Sequence, residues 1–138
     1  MSTFLDSTFL IDLVEDPAAT RKAAQDLEDR GEGVVTGSLN LFEVFRGVHS
    51  LRDAARRKKL QLQYEAVIQS TMVMDLSQDD ALRAASWSGA LRREGKQVGV
   101  DAITAALAYR AGCTAILTRN LRDFEPLARQ GAPPPKSY

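Results

Sequence analysis

The chain has 138 residues, 44% hydrophobic and 26% charged, which suits a single soluble globular domain and excludes wholesale disorder. A single cysteine, Cys113, and a single histidine, His49, exclude an internal disulfide and a Cys/His metal cluster, and a reducing cytoplasm is the natural compartment. Net charge is zero, yet residues 1–50 carry nine acids against four Lys/Arg and residues 51–138 carry nine against fourteen, so an anionic partner has to meet a local patch.

Short apolar runs alternate with helical patterns along the chain. Thr3-Phe4-Leu5 predicts a first strand that stops at Asp6. Phe9, Leu10, Leu13 and Val14 follow at helical spacing, and residues 18–30 predict a second helix with Gly31 as its stop. Gly33-Val34-Val35-Thr36 is the second strand, and Ser38 opens a helix carrying Glu43. Residues 52–69 predict a long charged helix, Thr71-Met72-Val73-Met74 a third strand, and Ser77 the cap of a helix reaching about Glu94. Asp101 opens an Ala-rich helix, Thr114-Ala115-Ile116-Leu117-Thr118 is the fourth strand, and Asn120 caps a final helix. The run Ala132-Pro133-Pro134-Pro135 suits neither a helix interior nor a central strand, so the expectation is a domain over 1–131 and a Pro-rich tail over 132–138. No apolar run reaches the roughly 20 residues of a membrane helix, and the first residues, with Asp6 and Asp12 and no basic stretch, do not read as a signal peptide.

Strands separated by helices predict a three-layer α/β/α sandwich around a parallel sheet of four to five strands. Ligands bind such sheets beyond the carboxyl ends of the strands. Asp6 follows the first strand, Glu43 lies early in the helix after the second, Asp101 opens the helix before the fourth, and Asp123 follows the fourth. On a parallel sheet all four approach one edge. Two carboxylates about 4 Å apart repel by about 4 kcal/mol at an effective dielectric of 20. A hard cation relieves that repulsion, and carboxylates without His or Cys suit Mg²⁺ or Mn²⁺, which can acidify a water for phosphodiester hydrolysis. Each acid also has a plain reading: Asp6 or Asp101 as a helix cap, Asp123 as a capping-box partner of Asn120, and Glu43 as a solvated helix residue, although Phe42, Val44 and Phe45 crowd around it and argue against that.

Four ordered segments resemble the PIN domain, in particular the VapC-type toxin ribonucleases of toxin–antitoxin pairs. They are Phe4-Leu5-Asp6-Ser7-Thr8-Phe9-Leu10-Ile11-Asp12-Leu13, Ser38-Leu39-Asn40-Leu41-Phe42-Glu43-Val44-Phe45-Arg46-Gly47, Val98-Gly99-Val100-Asp101-Ala102-Ile103-Thr104-Ala105-Ala106-Leu107-Ala108 and Leu117-Thr118-Arg119-Asn120-Leu121-Arg122-Asp123-Phe124, together spanning about residues 2–127. The family more often has Asn where Thr8 stands, and it usually closes with a fifth strand, which residues 132–138 do not resemble. The resemblance implies Mg²⁺ or Mn²⁺ held chiefly by Asp6 and Asp101 and completed by Glu43 and Asp123, with Ser7, Thr118 and Asn120 as supporting polar positions. It implies an endoribonuclease acting on a structured RNA such as a transfer RNA, a homodimer, and inhibition by a small VapB-like antitoxin.

Arg46, Arg92, Arg93 and Lys96 are candidate contacts for RNA or antitoxin, and Arg46 could instead pair with Glu43. The rival functions are a PIN-like interaction module without activity and a metal-dependent nuclease acting on DNA. A receiver-type domain lacks its acidic pair and late lysine here, and a dinucleotide fold lacks its glycines after the first strand.

Overall fold

A computed structural model describes all residues, Met1–Tyr138. The elements run β1 (Ser2–Leu5), α1 (Ser7–Glu15), α2 (Pro17–Asp29), β2 (Gly33–Gly37), α3 (Ser38–His49), α4 (Ala54–Gln69), β3 (Met72–Met74), α5 (Gln78–Arg93), α6 (Val100–Arg110), β4 (Ala115–Leu117), α7 (Leu121–Arg129) and β5 (Pro135–Lys136). The five strands form one parallel sheet in the order β3-β2-β1-β4-β5. Adjacent strand residues face opposite sides, so each apolar run supplies both cores. Phe4, Val35 and Ile116 pack with Trp87, Leu91, Leu107 and Phe124 from α5, α6 and α7. Leu5 and Leu117 pack with Phe9, Leu27, Val44 and Tyr64 from α1 to α4. The result is the three-layer α/β/α sandwich that the alternation of elements predicts.

The helix starts follow local chemistry. Asp53 accepts from the amides of Ala55 and Arg56, which sets the start of α4 two residues beyond the expected Arg52. Ser77 and Asp80 form a full capping box at α5. No helix is long and apolar enough to cross a membrane.

The expected Pro-rich tail departs from its sequence reading. Pro135 and Lys136 pair with Ile116 and Leu117 as a fifth, edge strand. The ladder needs no donor from the prolines: the amide of Ile116 donates to the Pro134 carbonyl at 3.0 Å and that of Thr118 to the Lys136 carbonyl at 3.1 Å. Proline is tolerated where only its carbonyl is used, which is why an edge position admits it. Beyond the strand, the Tyr138 ring meets Phe9 edge-on at 4.8 Å and its hydroxyl donates to Asp12 at 2.7 Å.

Candidate active site

The chain leaves β1 toward β2 on one side of the sheet, while β4 lies on the other side, so the order reverses at β1, the place where such sheets form a crevice at the carboxyl edge. Asp6 is the first residue past β1. Its amide donates to the Leu117 carbonyl at 3.1 Å, which extends the β1–β4 ladder by one step and holds the side chain at that edge. Asp6 occupies the N-cap position of α1, yet its carboxylate makes no capping bond. It accepts instead from the hydroxyls of Thr118 at 2.7 Å and Thr8 at 3.2 Å on one oxygen, and from the Asn40 amide at 3.3 Å on the other. Asp6 is 5% exposed. Burial pushes its pKa up, and the bonds from Thr118, Ser7 and Thr8 offset this only in part.

Asp101 lies in the first turn of α6 and Asp123 in the first turn of α7. Asn120 joins them: its amide donates one N–H to Asp101 at 2.9 Å and one to Asp123 at 2.8 Å. It is the N-cap residue of α7 but does not cap with its side chain, so the expected Asn120 cap is replaced by a bridge between two acids. The Asp101 carboxyl is raised to about 7, first by burial, then by the charges of Asp6, Asp123 and Glu43. Asp6, Asp123 and Glu43 thus lie near enough to Asp101 for their charges to act on it.

Glu43 accepts from Ser7 Oγ at 2.9 Å, and Ser7 in turn accepts from the Asn40 amide at 3.0 Å. Ser7 therefore joins Glu43 to the Asp6 end of the site. The expected crowding by Phe42 is absent, because Phe42 is 59% exposed. Arg46 does not pair with Glu43; its guanidinium lies over the Phe42 ring at 5.3 Å. Arg92 and Arg93 are exposed in the last turn of α5, where they complement the helix dipole.

Two polar residues of the site escaped the sequence reading. Asn40 is fully buried and donates to Asp6, Ser7 and Thr104. Its carbonyl oxygen has no partner. Turning the amide over would set that oxygen against Asp6, so the amine side must face the acids. Gly37 makes room for this: a Cβ there would come within 2.6 Å of Leu107 and 2.9 Å of the Asn40 oxygen. Thr104 lies one turn after Asp101, as Asn40 lies one turn before Glu43, and that i,i+3 spacing to an acid was the available signal.

The four ion pairs of the protein are Arg56–Glu15, Lys96–Glu94, Arg110–Asp80 and Arg119–Asp12, and none includes a site acid. The oxygens at the crevice are those of carboxylates and hydroxyls, a hard-oxygen set that fits Mg²⁺ or Mn²⁺. As placed, no three acid side chains converge on one point. Direct ligation would thus come from one or two carboxylates with water completing the shell, as is usual for Mg²⁺.

Beside Asn120 and Asp123 opens a polar groove of about 770 Å³ that also takes in Lys96, Arg122 and Arg129. Of the basic residues expected near the site, only Lys96 lines it; Arg122 and Arg129, from the final helix, were not foreseen.

The chain has structural relatives among known proteins. Structurally it is similar to VapBC2 from Rickettsia felis, solved bound to a promoter DNA fragment (TM-score 0.83, 15% identity, 100% of this chain and 99% of that one). It is similar to a toxin–antitoxin complex from Klebsiella pneumoniae (TM-score 0.61, 28% identity, 89% and 90%). It is also similar to a Mycobacterium tuberculosis VapC toxin described as cleaving the sarcin–ricin loop (TM-score 0.60, 19% identity, 83% and 87%). No curated protein matches the sequence significantly. The PIN domain family matches residues 3–130, and the chain belongs to that family.

Proposed function

We propose that the protein is a divalent-metal-dependent endoribonuclease, the toxin of a VapBC-type pair, with Asp6, Glu43, Asp101 and Asp123 as its catalytic acids. The observation that carries this reading is four carboxylates, Asp6 buried and Glu43, Asp101 and Asp123 half-buried, whose charges bear on Asp101 and which have no Lys or Arg within ion-pair distance. Such an arrangement raises the energy of the empty fold and lowers it when a cation enters. Asp6 and Asp101 are the chief ligands proposed for Mg²⁺ or Mn²⁺, with Glu43 and Asp123 completing the negative wall. When bound, the metal supplies neutralisation of phosphate charge and a more acidic attacking water. The protein holds the acids ready: Thr118 and Asn40 fix the two oxygens of Asp6, and Asn120 spaces Asp101 from Asp123. The structural likeness to a toxin described as cleaving the sarcin–ricin loop supports RNA as the substrate class, and the likeness to VapBC complexes supports a small antitoxin as the partner. The homodimer, the cytoplasmic site of action and a structured RNA such as transfer RNA belong to the same proposal.

The test is thermal unfolding in rising Mn²⁺ or Mg²⁺, with wild type beside Asp101→Asn, followed by cleavage of total RNA. A ligand that binds only the native state raises the midpoint with its concentration. The reading requires a rise in wild type that the variant lacks, and cleavage that the variant abolishes. Metal binding with cleavage of DNA alone would favour the DNase alternative. Neither metal binding nor cleavage would leave the interaction module.

A further inference from the structure

Lys96 lies in the turn after α5, while Arg122 and Arg129 lie in the first and last turns of α7. All three line the groove that begins at Asn120 and Asp123. Arg122 and Arg129 form no ion pair, and Lys96 touches only exposed Glu94 at 3.7 Å, a contact worth little in water. The two arginines are separated by about 10 Å along the helix axis, so they reach different groups of a bound chain. Val98 is the one hydrophobic side chain in the lining, and no aromatic ring is present to stack a base.

We propose that this groove is the track along which a single RNA strand leaves the acid crevice, held by its backbone phosphates through Lys96, Arg122 and Arg129. The inference rests on the ribonuclease reading and extends it to how the substrate is held. A phosphodiester brought to Asp101 and Asp123 carries its neighbours into this groove, where three cations outnumber Asp123 and Glu125. Phosphate contacts position a strand without reading it, and base readout needs edge contacts or stacking that this lining does not offer. The groove therefore sets affinity and register, and any sequence or shape preference is decided elsewhere on the surface. An acidic peptide would share the charge but not the continuity with a phosphodiester-cleaving centre.

The experiment uses the full chain carrying Asp101→Asn to prevent cleavage and a fluorescein-labelled single-stranded RNA of about 12 nucleotides, followed by anisotropy across a salt series. Lys96→Ala, Arg122→Ala and Arg129→Ala should each weaken binding several-fold and flatten the slope of log K against log salt by about 0.7. The losses should be equal for oligo(U) and mixed sequence. In the protein with Asp101 intact, the triple variant should raise KM for RNA and leave kcat unchanged. An unchanged slope in the triple variant overturns the proposal, as does a loss confined to one sequence. Tighter binding of an oligoglutamate peptide than of RNA also overturns it. If wild type cleaves RNA and the triple variant does so with unaltered KM, the groove fails and the ribonuclease reading stands. If the protein binds RNA through these cations but never cleaves it, the ribonuclease reading fails and the groove stands. If it neither binds nor cleaves RNA, both fail.

Discussion

Asp80 and the Asp6–Asp101 crevice place aspartates in the same fold under opposite conditions. Asp80 is 1% exposed, more buried than Asp6 at 5%. Burial alone would raise its pKa, but the hydrogen bonds from Arg110, the amide and hydroxyl of Ser77, and the charge of Arg110 outweigh burial and hold it below the ordinary carboxylate range. Arg110 reaches both oxygens of Asp80, at 2.9 and 3.1 Å through Nε and 2.9 Å through Nη2. In the crevice the balance tips the other way. Hydroxyls and amides fix the carboxylates in position, but no cation answers their charge, and Asp101 rises to about 7. Burial by itself thus says little about role. What separates an acid that holds two helices together from one kept available for a ligand is whether the protein supplies the counter-charge.

The largest effect expected from breaking this contrast is at Asp101. Asp101→Asn should cost cleavage more than the roughly 10–100-fold that loss of a supporting residue costs. It should also abolish the metal-induced rise in Tm while raising the Tm of the metal-free protein at neutral pH, because one of the mutually repelling charges is gone. A variant that cleaves normally would remove Asp101 from the site.

Arg110→Met tests the other side. It leaves Asp80 as a buried acid without its cation, so Tm should fall and the Asp80 carboxyl should titrate upward, as followed by NMR. The increment that Mn²⁺ adds to Tm should stay at the wild-type value, since no crevice residue is touched.

A smaller effect is expected at Thr118. Thr118→Val keeps the shape but removes the donor to Asp6, and should weaken Mn²⁺ by about 10–100-fold in the thermal titration. Thr118→Ser should restore most of the affinity. Equal losses in both variants would mean that Thr118 acts through packing alone.

The mildest test is pH. Asp101 has an ordinary value of 3.8 and a folded value of about 7. A raised acid binds its proton more tightly when folded, so its contribution to stability is present at low pH and is lost as pH rises between those values. Asp80 is lowered, so its contribution is present above the ordinary range and is lost as pH falls through its folded pKa. Metal-free wild type should therefore lose stability between about pH 4 and 7, and Asp101→Asn should lose less. Denaturant midpoints across that range read the difference.

Much of this was legible in the amino-acid order. The apolar runs at Phe4, Val35 and Ile116 and the helical spacing between them fix a parallel sheet with two covered faces, because each run is buried on both sides. The order of Asp6, Glu43, Asp101 and Asp123 along those elements points to one sheet edge, since parallel strands end together. The cap readings of Asp6 and Asn120 were equally consistent with the sequence, and only the tertiary structure decided between a bond to the local backbone and one to a distant side chain. It alone placed Asn40 between Asp6 and Thr104, turned Arg46 onto Phe42, gave Arg110 to Asp80, and set Pro135–Lys136 beside β4. The physical reason is range. Periodicity and burial act through neighbours a few residues apart, whereas the partner of a buried polar group lies across the fold, as Thr118 lies from Asp6.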